Sequence, residues 1–319
     1  MNIVEDFICA QSHYLGDSHV KIGRTHFVSS QIPKEKFTHL DRQTVINIQY
    51  NSIRNAFALN DTPTQFEAFN HAVGGSGNEW LEITQLNSST LLAFLCFSGV
   101  TKSNPITIQG FKPFTHAFFE VKSPLKPSGR SHPVSNMDIV LTNSSQVLFL
   151  ESKFTEYLTT TFAYKVKPYY LKAYDNVLGE IIQVGDVIFN RTSCSWESPK
   201  CRQYLEGIKQ MVCHYLGIKN CIEQTAVRIP SWNVNIADSA SECLAAKSEF
   251  FLGEILFAFS CDEFKNYKRL HSQLVPRLKP IRINDKRFSV VKELFTYQSI
   301  FSGTNAKLLT KPIREFYAL

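Results

Sequence analysis

The fold class this sequence predicts is α/β, a mixed central sheet flanked by helices, and three runs of residues predict it. The first reads as a β-hairpin. Residues 137–141 are apolar apart from Asp138, Thr142-Asn143-Ser144-Ser145-Gln146 is a turn cluster, and residues 147–150 are apolar again. In the second, Leu205, Ile208, Val212 and Tyr215 recur at helical spacing. The third, residues 250–259, is rich in aromatic and branched side chains and suits a core strand. Helix, hairpin, helix, strand, helix is an order that layers helices against a sheet.

Element by element, residues 1–64 are mixed and polar, and helices or a cap on the core are expected there. Residues 65–100 should hold an entry loop and a first helix. The loop contains Gly74-Gly75-Ser76-Gly77-Asn78-Glu79-Trp80, and Ser88 or Ser89 is a good N-cap for an apolar helix through the mid-nineties. The loop is not a Walker-type phosphate cradle, because it lacks the trailing Gly-Lys-Ser/Thr and no strong strand precedes it. Strands are expected near 115–121, 137–141 and 147–153, and an aromatic-rich, irregular segment over 157–200. A helix over 201–216 should stop at Gly217, and a basic helix should follow the 250–259 strand as far as Pro276. The last forty residues read as helix plus tail. No internal repeat or low-complexity tract interrupts the chain, which divides into an N-terminal helical or cap region (1–64), a core (65–275) and a C-terminal extension (276–319).

The hairpin carries the chemistry. Asp138, Glu151 and Lys153 sit at the ends of strands otherwise built for burial, where unpaired charge is costly and two acids commonly share a cation. Side chains alternate along a strand, so Glu151 and Lys153 share a face that Ser152 does not. With Asp138 across the hairpin, two carboxylates and an ammonium converge, a set able to cut a phosphodiester. The carboxylates would hold Mg²⁺, and the lysine would orient water and counter phosphoryl charge. The plain alternative is an edge hairpin with a Glu–Lys pair.

Asp, turn, Glu-x-Lys resembles the active site of the PD-(D/E)XK, or restriction-endonuclease-like, nuclease superfamily, with Met137 where the motif's name puts proline. Flanking residues resemble a bacterial branch of that superfamily: the Gly-rich-Glu segment, the Ser-Ser-x-Leu helix, the acidic strand around Glu120, and a Gln-x-x-x-His helix, in order over about residues 65–270. On that helix Gln203, Glu206, Gln210 and His214 recur at intervals of three and four. Gln210 is read as a site residue or a solvated one, His214 first as solvated, and Gln203 is the weaker match. The resemblance implies a restriction-like, metal-dependent DNA endonuclease, with Asp138, Glu151 and the Ser152 carbonyl as ligands of Mg²⁺, for which Mn²⁺ can substitute. It further implies Lys153 as the water-positioning cation, Glu79 and Gln210 as supports of the metal shell, Glu120 and Glu156 as alternatives to Glu79, and a product with a 5′-phosphate. Cutting both strands makes a homodimer plausible. The alternatives are a catalytically inactive nucleic-acid-binding protein on the same fold, and a hydrolase of other phosphoesters.

Composition is compatible with a DNA partner without requiring one. The 319 residues carry a net charge of +6, with 44% hydrophobic and 19% charged residues. Basic residues cluster modestly at 164–172, 265–279 and 282–292, where phosphate contacts and plain solvated faces are both expected. Eight cysteines in a chain this long do not make a disulfide scaffold, and Cys9, Cys96, Cys213 and Cys261 lie in apolar company as buried thiols do. No Cys-x-x-Cys pair supports zinc. The N-terminus has no signal-peptide pattern, and no apolar run approaches the roughly 20 residues of a membrane span. A cytoplasmic protein is expected.

Overall fold

Side-chain caps and short apolar runs set the first elements. The computed structural model describes residues 3–22, 24–28, 40–74, 79–124, 134–158, 163–166, 171, 183–198, 205–225 and 246–319. Helix α1 (Ile3–Leu15) precedes an antiparallel hairpin of β1 (His19–Ile22) and β2 (Thr25–Val28). Asp41 caps α2 (Arg42–Phe57), accepting the Thr44 N–H at 3.0 Å, and Thr62 caps α3 (Pro63–Ala72). A single turn, α4 (Glu79–Glu82), leads to α5 (Ser89–Phe97), where Ser88 is the cap and its Oγ accepts the Leu91 N–H at 3.2 Å. Next come β3 (His116–Pro124), β4 (Val134–Thr142) and β5 (Gln146–Lys153). Four short strands follow, β6 (Ala163–Lys165), β7 (Gln183–Val184), β8 (Val187–Asn190) and β9 (Ser195–Glu197). The remainder is α6 (Leu205–Thr225), β10 (Glu249–Leu256), α7 (Asp262–Leu274), β11 (Ile281–Ile283), β12 (Lys286–Val290), β13 (Phe295–Thr296), α8 (Tyr297–Ile300) and α9 (Lys311–Tyr317).

The chain packs as two units, Met1–Glu120 with Tyr297–Leu319, and Val121–Thr296. Their extents differ from the segments 1–64, 65–275 and 276–319 read from the sequence. The C-terminal residues return to the first helices: the Phe316 ring meets Phe57 edge-on at 5.0 Å, and the Thr310 hydroxyl donates to the Phe57 carbonyl at 2.6 Å.

The second unit is a mixed α/β structure with helices on its sheet. Strand order is β11-β12-β10-β5-β4-β3, and β13 also pairs with β10. β10 runs parallel to β5 along its whole length, from Glu249 beside Gln146 to Leu256 beside Lys153, while β4 and β5 are antiparallel. In the hairpin turn, Asn143 Oδ1 accepts the N–H groups of Ser145 and Gln146 at 3.0 and 2.9 Å. All eight residues of β5 are buried, as in a central strand covered on both faces.

Several expectations are corrected. The 157–200 segment contains a four-stranded antiparallel sheet, β6-β9-β8-β7, whose strands of two to four residues are too short for a period-2 signal. The last forty residues include β11, β12 and β13 as well as helix. Gly217 does not stop α6, which continues to Thr225. A Cβ there would stand 2.2 Å from Ser123 Oγ, so the glycine lets the helix lie against β3. Cys9 is exposed and Cys261 is part-exposed, whereas Cys96 and Cys213 are buried. Among the described residues, no helix is long and apolar enough to cross a membrane.

Candidate active site

The site begins where the hairpin ladder ends. Backbone partners run from Thr142–Val147 to Ile139–Leu150, and Asp138 comes next. There the Ser152 N–H donates to Asp138 Oδ2 at 2.7 Å. Glu151 and Lys153, two apart on one strand, point the same way, and Lys153 Nζ lies 2.8 Å from Glu151 Oε1. The second carboxylate oxygen of Glu151 is 2.6 Å from His214 Nε2, and His214 Nδ1 is hydrogen-bonded to the hydroxyl of Ser135 on β4. Glu151, Lys153 and His214 are 1%, 5% and 3% exposed.

His214 corrects the solvated reading. α6 packs against β4, β11 and β12 of the large sheet and against β6 and β9 of the small one. Glu206 and Gln210 on its polar stripe keep part of their surface exposed, but His214 is buried, and a buried imidazole needs a partner. Glu151 and Ser135 supply it.

The charges divide the two acids. Burial alone would push Glu151 up, but Lys153 and His214 outweigh it and hold the carboxyl down, at about 2. Asp138 retains some exposure, yet its surroundings are those of an interior group. Burial, reinforced by the negative charge of Glu151, carries it well above the usual carboxylate range against the pull of Lys153 and the Ser152 N–H. Burial would lower Lys153, but Glu151, Glu206, Glu156 and Asp138 together raise it well above the ordinary lysine value. At neutral pH the site therefore holds a charged lysine and an ionised Glu151, while Asp138 keeps its proton to a higher pH than an ordinary aspartate. Two acids with pKa values driven apart can take different roles.

Other expected residues distribute as follows. Ser152 is fully buried. Gln210 stands one helical turn before His214, and its Oε1 is buried without a hydrogen-bond partner, as is Oδ1 of Asn136, two residues before Asp138. Glu156 accepts the Phe154 N–H at 2.7 Å, and its charge acts on both Asp138 and Lys153. Glu120 is buried in β3 with φ at 51°, and Glu79 opens α4 in the unit that does not carry the hairpin. Gln203 and residues 75–78 of the glycine-rich segment lie outside the described residues. Sequence reasoning missed Ser135 and the influence of Glu206 on Lys153. No spacing signal marks Ser135, whereas Glu206 lies on the polar stripe already noted.

No family model, curated protein or solved structure matches this chain.

The donor set suits a hard cation. Two carboxylates and a main-chain carbonyl are oxygen ligands, and the two orphaned oxygens on Asn136 and Gln210 are neutral acceptors that an ion's water would satisfy. Glu151 would share its oxygens between the ion, Lys153 and His214. Among the described residues, no group of three or more His, Cys, Asp or Glu side chains is spaced to hold a metal. Any ion here would keep much of its shell as water, the habit of Mg²⁺.

Basic residues also surface in this unit. Arg282 and Arg287 are exposed and sit directly opposite each other on β11 and β12. Like charges so placed repel, and an anion between them removes the cost. On α7, Lys268 and Arg269 are exposed, Arg269 lies 3.5 Å from Asp186, and Lys265 pairs with Asp262 at 2.8 Å. In the 164–172 cluster, residues 167–170 and 172 lie outside the described set.

Proposed function

We propose that this chain is a Mg²⁺-dependent DNA endonuclease with a restriction-endonuclease-like fold, hydrolysing phosphodiester bonds at the end of the β4–β5 hairpin. The observation that carries the reading is the meeting of Asp138, Glu151 and Lys153 on strands otherwise apolar and buried. Such a buried charge cluster is a weak way to stabilise a fold, which favours a chemical use for it. The mixed sheet with flanking helices is compatible with that fold, although other functions use similar scaffolds.

Asp138, Glu151 and the Ser152 carbonyl would hold the ion, which when bound supplies charge neutralisation and a more acidic water. Lys153, kept charged by its acidic neighbours, orients that water and counters phosphoryl charge rather than serving as a free base. His214, fixed by Ser135, holds Glu151 in one orientation. Gln210 offers its unpartnered oxygen to a water hydrogen. Glu156, whose charge reaches the site, is preferred here to Glu79 as the supporting acid. Arg282 and Arg287 would meet the phosphate backbone.

A second reading, an inactive nucleic-acid-binding protein, is favoured by one observation: both oxygens of Glu151 already have partners in Lys153 and His214. Plasmid nicking and linearisation with Mg²⁺ or Mn²⁺ separates the two. Cutting should vanish with EDTA and fall about 10²–10³-fold or more in Lys153→Ala, with DNA affinity retained. Binding without cutting on varied DNA would favour the inactive reading. Cutting that survives Lys153→Ala would mean the wrong residues have been assigned.

A further inference from the structure

Two histidines on the N-terminal hairpin have no part in the chemistry above. His19 lies opposite Val28, and His26 is two residues before Val28 on the same strand, so the two rings leave one face of the ribbon on a diagonal. His19 Nε2 stands 2.9 Å from His26 Nδ1, with ring centroids 5.0 Å apart and planes 21° from parallel. A nitrogen contact that short between centroids that far apart means the rings meet edge to edge, each presenting a nitrogen to the other.

Two facing imidazole nitrogens either share one proton or chelate an ion. At a zinc–nitrogen distance of about 2.0–2.1 Å, two imidazoles on one ion stand about 2.9–3.3 Å apart for angles from square to tetrahedral. The observed 2.9 Å lies at the square-angle end of that range, the cis arrangement of nitrogens on a tetragonal Cu²⁺, and each ring has to turn so that its nitrogen faces the ion rather than its neighbour. The paired strands hold the rings in place, and both residues are part-exposed, leaving room for water to complete a coordination shell. Burial, the charge of His26, and then Lys21 and His13 favour the neutral form of His19. Burial and then Lys21 do the same for His26. Neutral imidazole is the form that binds metal. His13, exposed on the last turn of α1, is near enough for its charge to act on His19, so a third imidazole is in the neighbourhood.

We propose that His19 and His26 form a two-imidazole site for a transition-metal ion of the Zn²⁺ or Cu²⁺ type, with water completing the coordination. Nitrogen donors select such ions over Mg²⁺, so the site is chemically separate from the carboxylate hairpin. It belongs to the other unit and stands whether or not the chain cuts DNA.

Electron paramagnetic resonance of the full chain with one equivalent of Cu²⁺ tests the site without any substitution. The expected spectrum shows two equatorial nitrogens, and a spectrum without them overturns the proposal. Calorimetric titration with Zn²⁺ should find a site weakened about tenfold or more in each of His19→Gln and His26→Gln, since each removes one of two linked contacts. Unchanged Zn²⁺ affinity in both variants would also overturn it and leave the contact as a plain hydrogen bond. Mg²⁺-supported DNA cleavage by the two variants, where the parent shows it, should be unaltered.

Discussion

His214 shows how one residue's environment decides its meaning. Its imidazole joins Glu151 of one strand to Ser135 of the next, at a depth where neither ring nitrogen can turn to water. Removing it strips a partner from a buried, ionised carboxylate, and such losses are costly because the charge stays behind. His214→Ala should lower stability by roughly 3 kcal/mol in urea denaturation. His214→Gln, which keeps a donor, should lose distinctly less. Equal losses in the two variants would show that packing, not the bond to Glu151, is what His214 contributes.

At the scale of elements, the approach of α6 to β3 turns on Gly217. An alanine in a helix interior is worth about 1 kcal/mol over glycine. Here its methyl would lie 2.2 Å from Ser123 Oγ and 3.1 Å from Ser123 Cβ. Gly217→Ala should therefore fail to stabilise the protein, and Ser123→Ala in the same chain should recover part of the usual gain. A double-mutant cycle by chemical denaturation measures that coupling. An additive result would mean that the helix shifts freely against the strand. The same element explains the mistaken end of the helix at Gly217. A glycine after an apolar stripe reads as a stop, and what distinguishes a close crossing is a neighbour more than ninety positions away in the chain.

For the whole molecule, His271 links stability to pH. It is 1% exposed on α7, with Nε2 3.4 Å from Glu254 Oε2, while Tyr267 donates to the other oxygen of Glu254 at 2.7 Å. Burial lowers its pKa to about 4, below the unfolded value near 6.5. The unfolded chain thus binds a proton that the folded chain refuses. The contribution is full above about pH 6.5 and is lost progressively as pH falls towards 4, amounting to no more than about 3 kcal/mol. Urea midpoints across that window should fall for the parent and flatten in His271→Asn. A parent curve as flat as the variant's would mean that Glu254 holds the ring protonated in the folded state.

The sequence by itself determined the hairpin, the capped helix after Ser88, the sharing of a face by Glu151 and Lys153, and a buried strand, read at 250–259 and found at 249–256. These follow from apolar runs, turn residues, caps and strand alternation, which act between neighbours in the chain. Only the tertiary structure decided that β10 lies parallel to β5, that the short strands of 163–197 form a sheet, and that the C-terminal residues pack on the first helices. It also decided the fate of the polar stripe on α6. His214 would face water on a helix with one covered side, and it is buried because sheets lie on both, while Gln210 on the same stripe stays part-exposed. Burial is a property of what arrives from elsewhere in the chain, so the opposite shifts of Asp138 and Glu151, and the raised pKa of Lys153, could be read only once the strands and helices had been brought together.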